Sequence, residues 1–212
     1  MASRLCLLLN YAPHYRAAVL GELSRRTPCR LLTGDRLDEP LRKVEPERLN
    51  CHFSEGRTIL FPGGLYWVRG GFRMLTEPGG CSRVVVTGEL SFLSSWVVLI
   101  WGRLRGVPVF LWTHGMYKGE TGWAKWIRIV YFRLASGLLL YHDHARRTME
   151  QLGFRAERLH VIYNAVDDVS PIPSAPLPTD VKSAFESNFD AVRPVVLFTG
   201  RLLQGKRLDL LL

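Results

Sequence analysis

No apolar run in this chain of 212 residues is long enough to cross a bilayer: Leu5–Leu9 and residues 96–101 fall far short of about 20 residues. The first run is also too short for the apolar part of a signal peptide, so the reading is a first strand. Cysteine is scarce and unpatterned. Cys6, Cys29, Cys51 and Cys81 form no C-x-x-C, which predicts buried, reduced thiols rather than a disulfide scaffold or a zinc site. The first strand-to-helix turn lacks the glycines of G-x-G-x-x-G, which excludes a dinucleotide fingerprint there. Carboxylates are outnumbered, 19 Asp and Glu against 28 Lys and Arg, leaving a net charge of +9 and an expectation of an anionic partner. Apolar residues are not lacking: at 47% they exclude extended disorder.

What is present alternates between short apolar runs and amphipathic stretches, the pattern of a parallel α/β sheet covered by helices. Strands are expected over 4–9, 29–33, 58–61, 84–86, 107–112, 137–141 and 160–162, with helices over 15–26, 91–105, 122–135 and 143–152. Residues 34–50 read as a surface excursion. In such folds ligands sit outside the carboxyl ends of the strands. That rule makes His14 and Arg16, after the first strand, candidate acceptor-side residues. Glu89 lies at a similar edge, either on a ligand or at the start of a helix. His114 lies at the end of the strand over 107–112, where an imidazole donates or accepts a proton near neutral pH. Tyr66, Trp67 and Phe72 form an aromatic patch suited to core packing or to stacking on a sugar. His142, Asp143 and His144 invite a metal, but alternate residues at a strand end seldom converge, and Asp143 suits a helix N-cap.

In the helix over 122–135, Trp123, Trp126, Ile127, Val130, Tyr131 and Leu134 form one stripe expected to pack on the sheet. The other side would then show Lys125, Ile129 and Phe132 between Arg128 and Arg133, as a helix in an anionic membrane interface does. The alternative is that both sides are covered, one by the loop over 116–121 or by a partner. Prolines 171, 173, 176, 178 and 194 then mark a linker, with a short helical stretch over 179–189. After it, residues 195–198 read as a new strand, followed by a turn carrying Gly200, Arg201 and Lys206. Backbone N–H groups and two cations at such a turn suit phosphate oxygens.

These residues carry a resemblance. VVLFTGRLLQGKRLDLLL over 195–212, VIYNAVD over 161–167, FLWTHGMY over 110–117 and the P-x-Y-R of Pro13 to Arg16 resemble elements of the retaining GT-B glycosyltransferases of group 1, family GT4. Ala165, Gly205 and Arg207 depart from that family's usual residues. The resemblance implies a Rossmann-like GT-B amino-terminal domain over 1–168, a linker over 169–193 and the start of a donor-binding domain over 194–212. It implies transfer of a sugar from a nucleotide-diphosphate donor to a hydroxyl acceptor, lipid-linked or glycan, with retention, in polysaccharide biosynthesis. His114 would lie at the reaction centre, and Gly200, Arg201 and Lys206 would hold the diphosphate. No cofactor, metal or nucleic acid is implied, and the place of action is the cytoplasmic face of a membrane, peripherally. The family's E-x7-E element would lie beyond Leu212, so a non-catalytic acceptor- or partner-binding fragment is the alternative.

Overall fold

The computed structural model describes residues 4–36, 41–77, 80–117, 119–165, 179–188, 198–199 and 208–210. The chain divides into two compact units, Met1–Asp167 and Asp168–Leu212. In the second, Thr179–Asn188 is helical and Leu208–Leu210 forms a 3-10 turn. Gly200, Arg201 and Lys206 lie outside the described residues, as does nearly all of the expected strand over 195–198.

The first unit is built on parallel strands. They are β1 (Leu5–Leu9), β2 (Cys29–Gly34), β3 (His52–Gly56), β6 (Arg83–Thr87), β7 (Val109–Thr113), β8 (Gly137–Leu140) and β9 (Leu159–Val161), while β4 (Thr58–Leu60) and β5 (Tyr66–Val68) pair as a separate hairpin. The large sheet runs β3-β2-β1-β6-β7-β8-β9, all parallel. Its order reverses between β1 and β6. That is a topological switch point, where a crevice opens at the carboxyl ends of the strands.

Leu, Val and Cys alternate between two cores, as side chains of a strand must. Cys6 and Leu8 join one core with Val84, Val86 and Leu111; Leu7 and Leu9 join the other with Leu31 and Val85. The helix α1 (Ala17–Arg26) covers the second face. The first face carries α2 (Gly71–Thr76), α3 (Leu93–Arg105), α4 (Gly122–Leu134) and α5 (Asp143–Gln151). The steps β6-α3-β7 and β7-α4-β8 advance in one direction across the sheet, and right-handed crossovers then put both helices on one side. The helix of the second unit is α6, Thr179–Asn188.

Several expectations change here. β3, with its polar HFSEG, is an edge strand that residue alternation does not reveal, and the apolar segment after it is half of a hairpin rather than a sheet strand. Cys6 and Cys81 are joined in a disulfide with Cα atoms 5.7 Å apart. Seventy-five residues separate them in sequence, yet β1 lies beside β6, which brings the two thiols together. Cys29 and Cys51 remain free, and burial together with the neighbouring Cys29 pushes the Cys51 thiol up to about 12. Asp143 is not the cap of α5: His142 is, its Nδ1 accepting the Ala145 N–H at 2.9 Å.

The largest correction concerns α4. Phe132 is fully buried and Arg128 is 6% exposed, and Ile129 packs against the core, so the face assigned to a membrane points inward. Lys125 is half-buried and Arg133 exposed. A buried arginine is tolerable only when paired. Arg128 holds the Glu120 carboxylate in a two-pronged grip at 2.5 to 2.9 Å and lies 4.6 Å from the Tyr117 ring, tying down the loop before the helix. Residue periodicity cannot show that partner, which is why the phase was misjudged.

Candidate functional site

Polar side chains converge where β1 and β6 part. Asn10, just after β1, accepts a hydrogen bond from the Thr87 hydroxyl on its Oδ1 at 3.1 Å, while its own backbone N–H donates to Thr87 Oγ1 at 3.1 Å. Its Nδ2 faces both carboxylate oxygens of Glu89 at 3.4 Å. Tyr66 donates its hydroxyl to Glu89 Oε2 at 2.5 Å, with its ring stacked on Phe92 at 5.1 Å. Burial, then the Glu89 charge, raises the Tyr66 phenol far above its ordinary value, so it stays a donor. Glu89 does not cap α3, whose N-cap is Phe92. It is instead a carboxylate held by two donors at the mouth of the sheet.

Beside it opens a cleft of about 540 Å³, bordered by Asn10, Glu89, Tyr66 and Arg36 on its polar side and by Leu60 and Phe61 on its apolar side. Gly88 lets β6 and β7 close up behind it: a Cβ there would meet Thr113 Cβ at 2.7 Å. A size of this order suits a small-molecule ligand.

A second cluster stands along the same edge. Arg16, in the 3-10 turn His14–Arg16, lays its guanidinium 4.5 Å from the Trp112 ring and donates from Nη2 to the Tyr141 hydroxyl at 2.7 Å. Its Nε is buried and has no hydrogen-bond partner among the described residues. A flat cation fixed on one side by an indole and a phenol, with a donor unspent, is suited to an anionic oxygen. The His114 ring stacks on Tyr141 at 4.2 Å. Gly115 follows it at φ 83°, a turn that L side chains rarely adopt. Burial is the main cause that lowers the His114 pKa below 6.5, the neighbouring His142 and the Arg16 guanidinium add to it, and Glu89 opposes it. The imidazole is therefore neutral at pH 7 and able both to donate and to accept. That Glu89 is felt at both His114 and Tyr141 makes the two clusters one electrostatic unit.

The fold thus brings Arg16, Glu89 and His114 to one edge. His14 departs from them: it is exposed, and its ring and N–H both turn to the Arg42 carbonyl, at 3.2 and 2.8 Å. Sequence reasoning missed Asn10, Tyr66 and Tyr141. Asn10 was findable, being the first polar residue after β1 at a strand's carboxyl end. Tyr66 was seen only as part of an aromatic patch. Among the described residues no three His, Cys, Asp or Glu gather as metal ligands.

A family model described as Glycosyltransferase Family 4 matches residues 82–169. Among curated proteins none matches. Solved structures do: Anabaena Alr3699/HepE in complex with UDP and glucose has a TM-score of 0.53 at 14% identity, covering 89% of this chain and 50% of that one. A UDP-N-acetylglucosamine 2-epimerase from Rickettsia bellii gives 0.52 at 15%, covering 89% and 48%. The lipopolysaccharide outer core galactosyltransferase WaaB, in its apo form, gives 0.50 at 13%, covering 87% and 57%. The chain spans about half the length of the structures it matches. Together these neighbours give the chain the Rossmann-like α/β fold of a GT-B domain, and residues 82–169 are similar to Glycosyltransferase Family 4.

Proposed function

We propose that this chain is the acceptor-side part of a glycosyltransferase that moves a sugar from a nucleotide-diphosphate donor to a hydroxyl acceptor, with retention, at a membrane surface. The observation that carries the reading is the shared edge of Arg16, Glu89 and His114 at the sheet's switch point. As the donor bond breaks, negative charge grows on the departing diphosphate, and cations already in place stabilise it without reorganising. Arg16 supplies one such cation from this unit, and Gly200, Arg201 and Lys206 are proposed to supply the rest. Glu89, kept acceptor-ready by Asn10 and Tyr66, orients the incoming hydroxyl, and neutral His114 holds a hydrogen bond at the reacting oxygens. That the complex with UDP and glucose belongs to a neighbour of this fold supports a UDP-linked donor.

The test is incubation of the chain with UDP-hexoses and an alkyl glycoside acceptor, followed by NMR. A new glycoside with the donor's anomeric configuration is expected. UDP-hexose binding without any new glycoside would leave the non-catalytic acceptor-binding reading in its place, and an inverted product would end the assignment of retention.

A further inference from the structure

We infer that Cys29 and Cys51 are a second disulfide-forming pair, oxidised by exchange with a small disulfide such as oxidised glutathione, and that their bridge straps the edge strand β3 to β2. The inference is independent of the sugar-transfer reading.

Among the strands of the large sheet β3 has little to hold it. It stands at the edge, so among the described residues its one strand neighbour is β2, and its sequence HFSEG brings a single large apolar residue, Phe53. Such an edge opens locally before a central strand does. The parallel register pairs Arg30 with His52 and runs on to Gly34 with Gly56. One step before its first pair stand Cys29, the first residue of β2, and Cys51, the residue ahead of β3. Neighbouring strands lie about 4.8 Å apart, within the roughly 4.4 to 6.8 Å that a disulfide spans between Cα atoms. The two thiols already meet, each in hydrogen-bond contact with the other. The Cys6–Cys81 bridge is a precedent in the same sheet, closing β1 on the segment that enters β6.

Access sets the order of events. Cys29 is 9% exposed and packs in the core that α1 covers, whereas Cys51 is half-buried, so a small disulfide reaches Cys51. The Cys51 thiolate attacks one sulfur of oxidised glutathione, giving a mixed disulfide and one glutathione thiolate. The Cys29 thiolate then attacks the Cys51 sulfur, forming the Cys29–Cys51 bond and expelling the second glutathione thiolate. Two cysteines are oxidised, one glutathione disulfide is reduced, and the two protons the cysteines lose end on the two glutathione thiolates. Burial raises both thiols above their ordinary values, which slows thiolate attack. It also leaves the reduced pair without a stabilised thiolate, the reverse of a strongly oxidising bridge, so the product lasts once made. At their other ends the two strands reach the cleft. The Gly56 carbonyl accepts the Asp35 N–H at 3.1 Å, Asp35 Oδ1 accepts the Thr58 N–H at 2.8 Å, and Arg36 and Thr58 border the cleft. A strapped β3 therefore steadies that wall.

The experiment is incubation of the full chain with oxidised glutathione, alkylation of the remaining thiols, digestion with trypsin without reduction, and mass spectrometry. The fragment 27–30, carrying Cys29, is expected joined to the fragment 49–57, carrying Cys51, and released from it by dithiothreitol. The same joined pair in the untreated chain would support the inference equally. Cys51→Ser should abolish it and leave Cys29 unreacted, because access runs through Cys51. In the bridged chain, amide hydrogen exchange should slow about tenfold in β3 and stay as it was in β9, at the opposite edge of the sheet. The melting temperature should rise by about 8 °C. Both thiols alkylated after the incubation, glutathione kept on Cys51 with Cys29 free, or a bridge that leaves exchange in β3 unchanged would each overturn the inference. None of these readouts involves a sugar donor, so failure of the transfer reading leaves them untouched.

Discussion

The two edges of one sheet use the same kinds of residue for opposite ends. At the amino edge, cations and sulfur are spent on structure. Arg103 donates to the Leu134 and Arg133 carbonyls and Arg158 to those of Ser136 and Ala135, closing the carboxyl end of α4, while Cys6 and Cys81 tie β1 to the entry of β6. At the carboxyl edge, Arg16 rests on aromatic rings with its Nε unspent, and Glu89 collects donors without pairing to a cation among the described residues. An arginine counted in the net charge therefore says little until its partner is known: carbonyls make it a clamp, and an unspent donor beside a cleft makes it a binding group.

If that contrast holds, damage to the amino edge costs stability and damage to the carboxyl edge costs chemistry. Reduction of Cys6–Cys81 should have the largest effect, a loss of about 4 kcal/mol expected for cross-linking across 75 residues, read as a lower melting temperature with ligand binding intact well below it. Glu89→Gln and His114→Ala should each cut sugar transfer about 100-fold, about 2.7 kcal/mol of transition-state stabilisation, with little change in melting. A matching loss of stability would erase the distinction. Arg158→Ala should do the reverse, removing about 1 kcal/mol through lost capping and leaving transfer unaltered. The smallest effect concerns pH. Because folding lowers the His114 pKa from 6.5, the unfolded chain binds its proton more readily, and stability from this group, complete above pH 6.5, drains away as pH falls through the lower folded value. Histidine NMR should find that value below 6.5 and see it rise in Arg16→Gln, where one neighbouring cation is gone; an unshifted His114 would contradict the stacked, desolvated ring.

How much of this could be read from residues alone follows from which forces are local. The apolar runs over 4–9 and 84–86 and the helical spacing of 15–26 announced strands and a helix, because burial on both faces of a parallel sheet leaves continuous apolar runs. Arg16, Glu89 and His114 were reachable from position alone, each following a strand at its carboxyl end. Their meeting was not, for it depends on β1 lying beside β6. The disulfide was hidden by the same fact. In α4 the apolar stripe was visible but its direction was not: Trp123 and Trp126 turn outward because Phe132, Tyr131 and an ion-paired Arg128 fill the inner side.

The most direct measurement follows the histidine ring signals while UDP-hexose is added to the full chain. Ligand at the carboxyl edge should move His114 and leave His52 and His160, which stand in β3 and β9 away from the cleft, where they were. Movement of His52 or His160 with His114 unchanged would contradict the account.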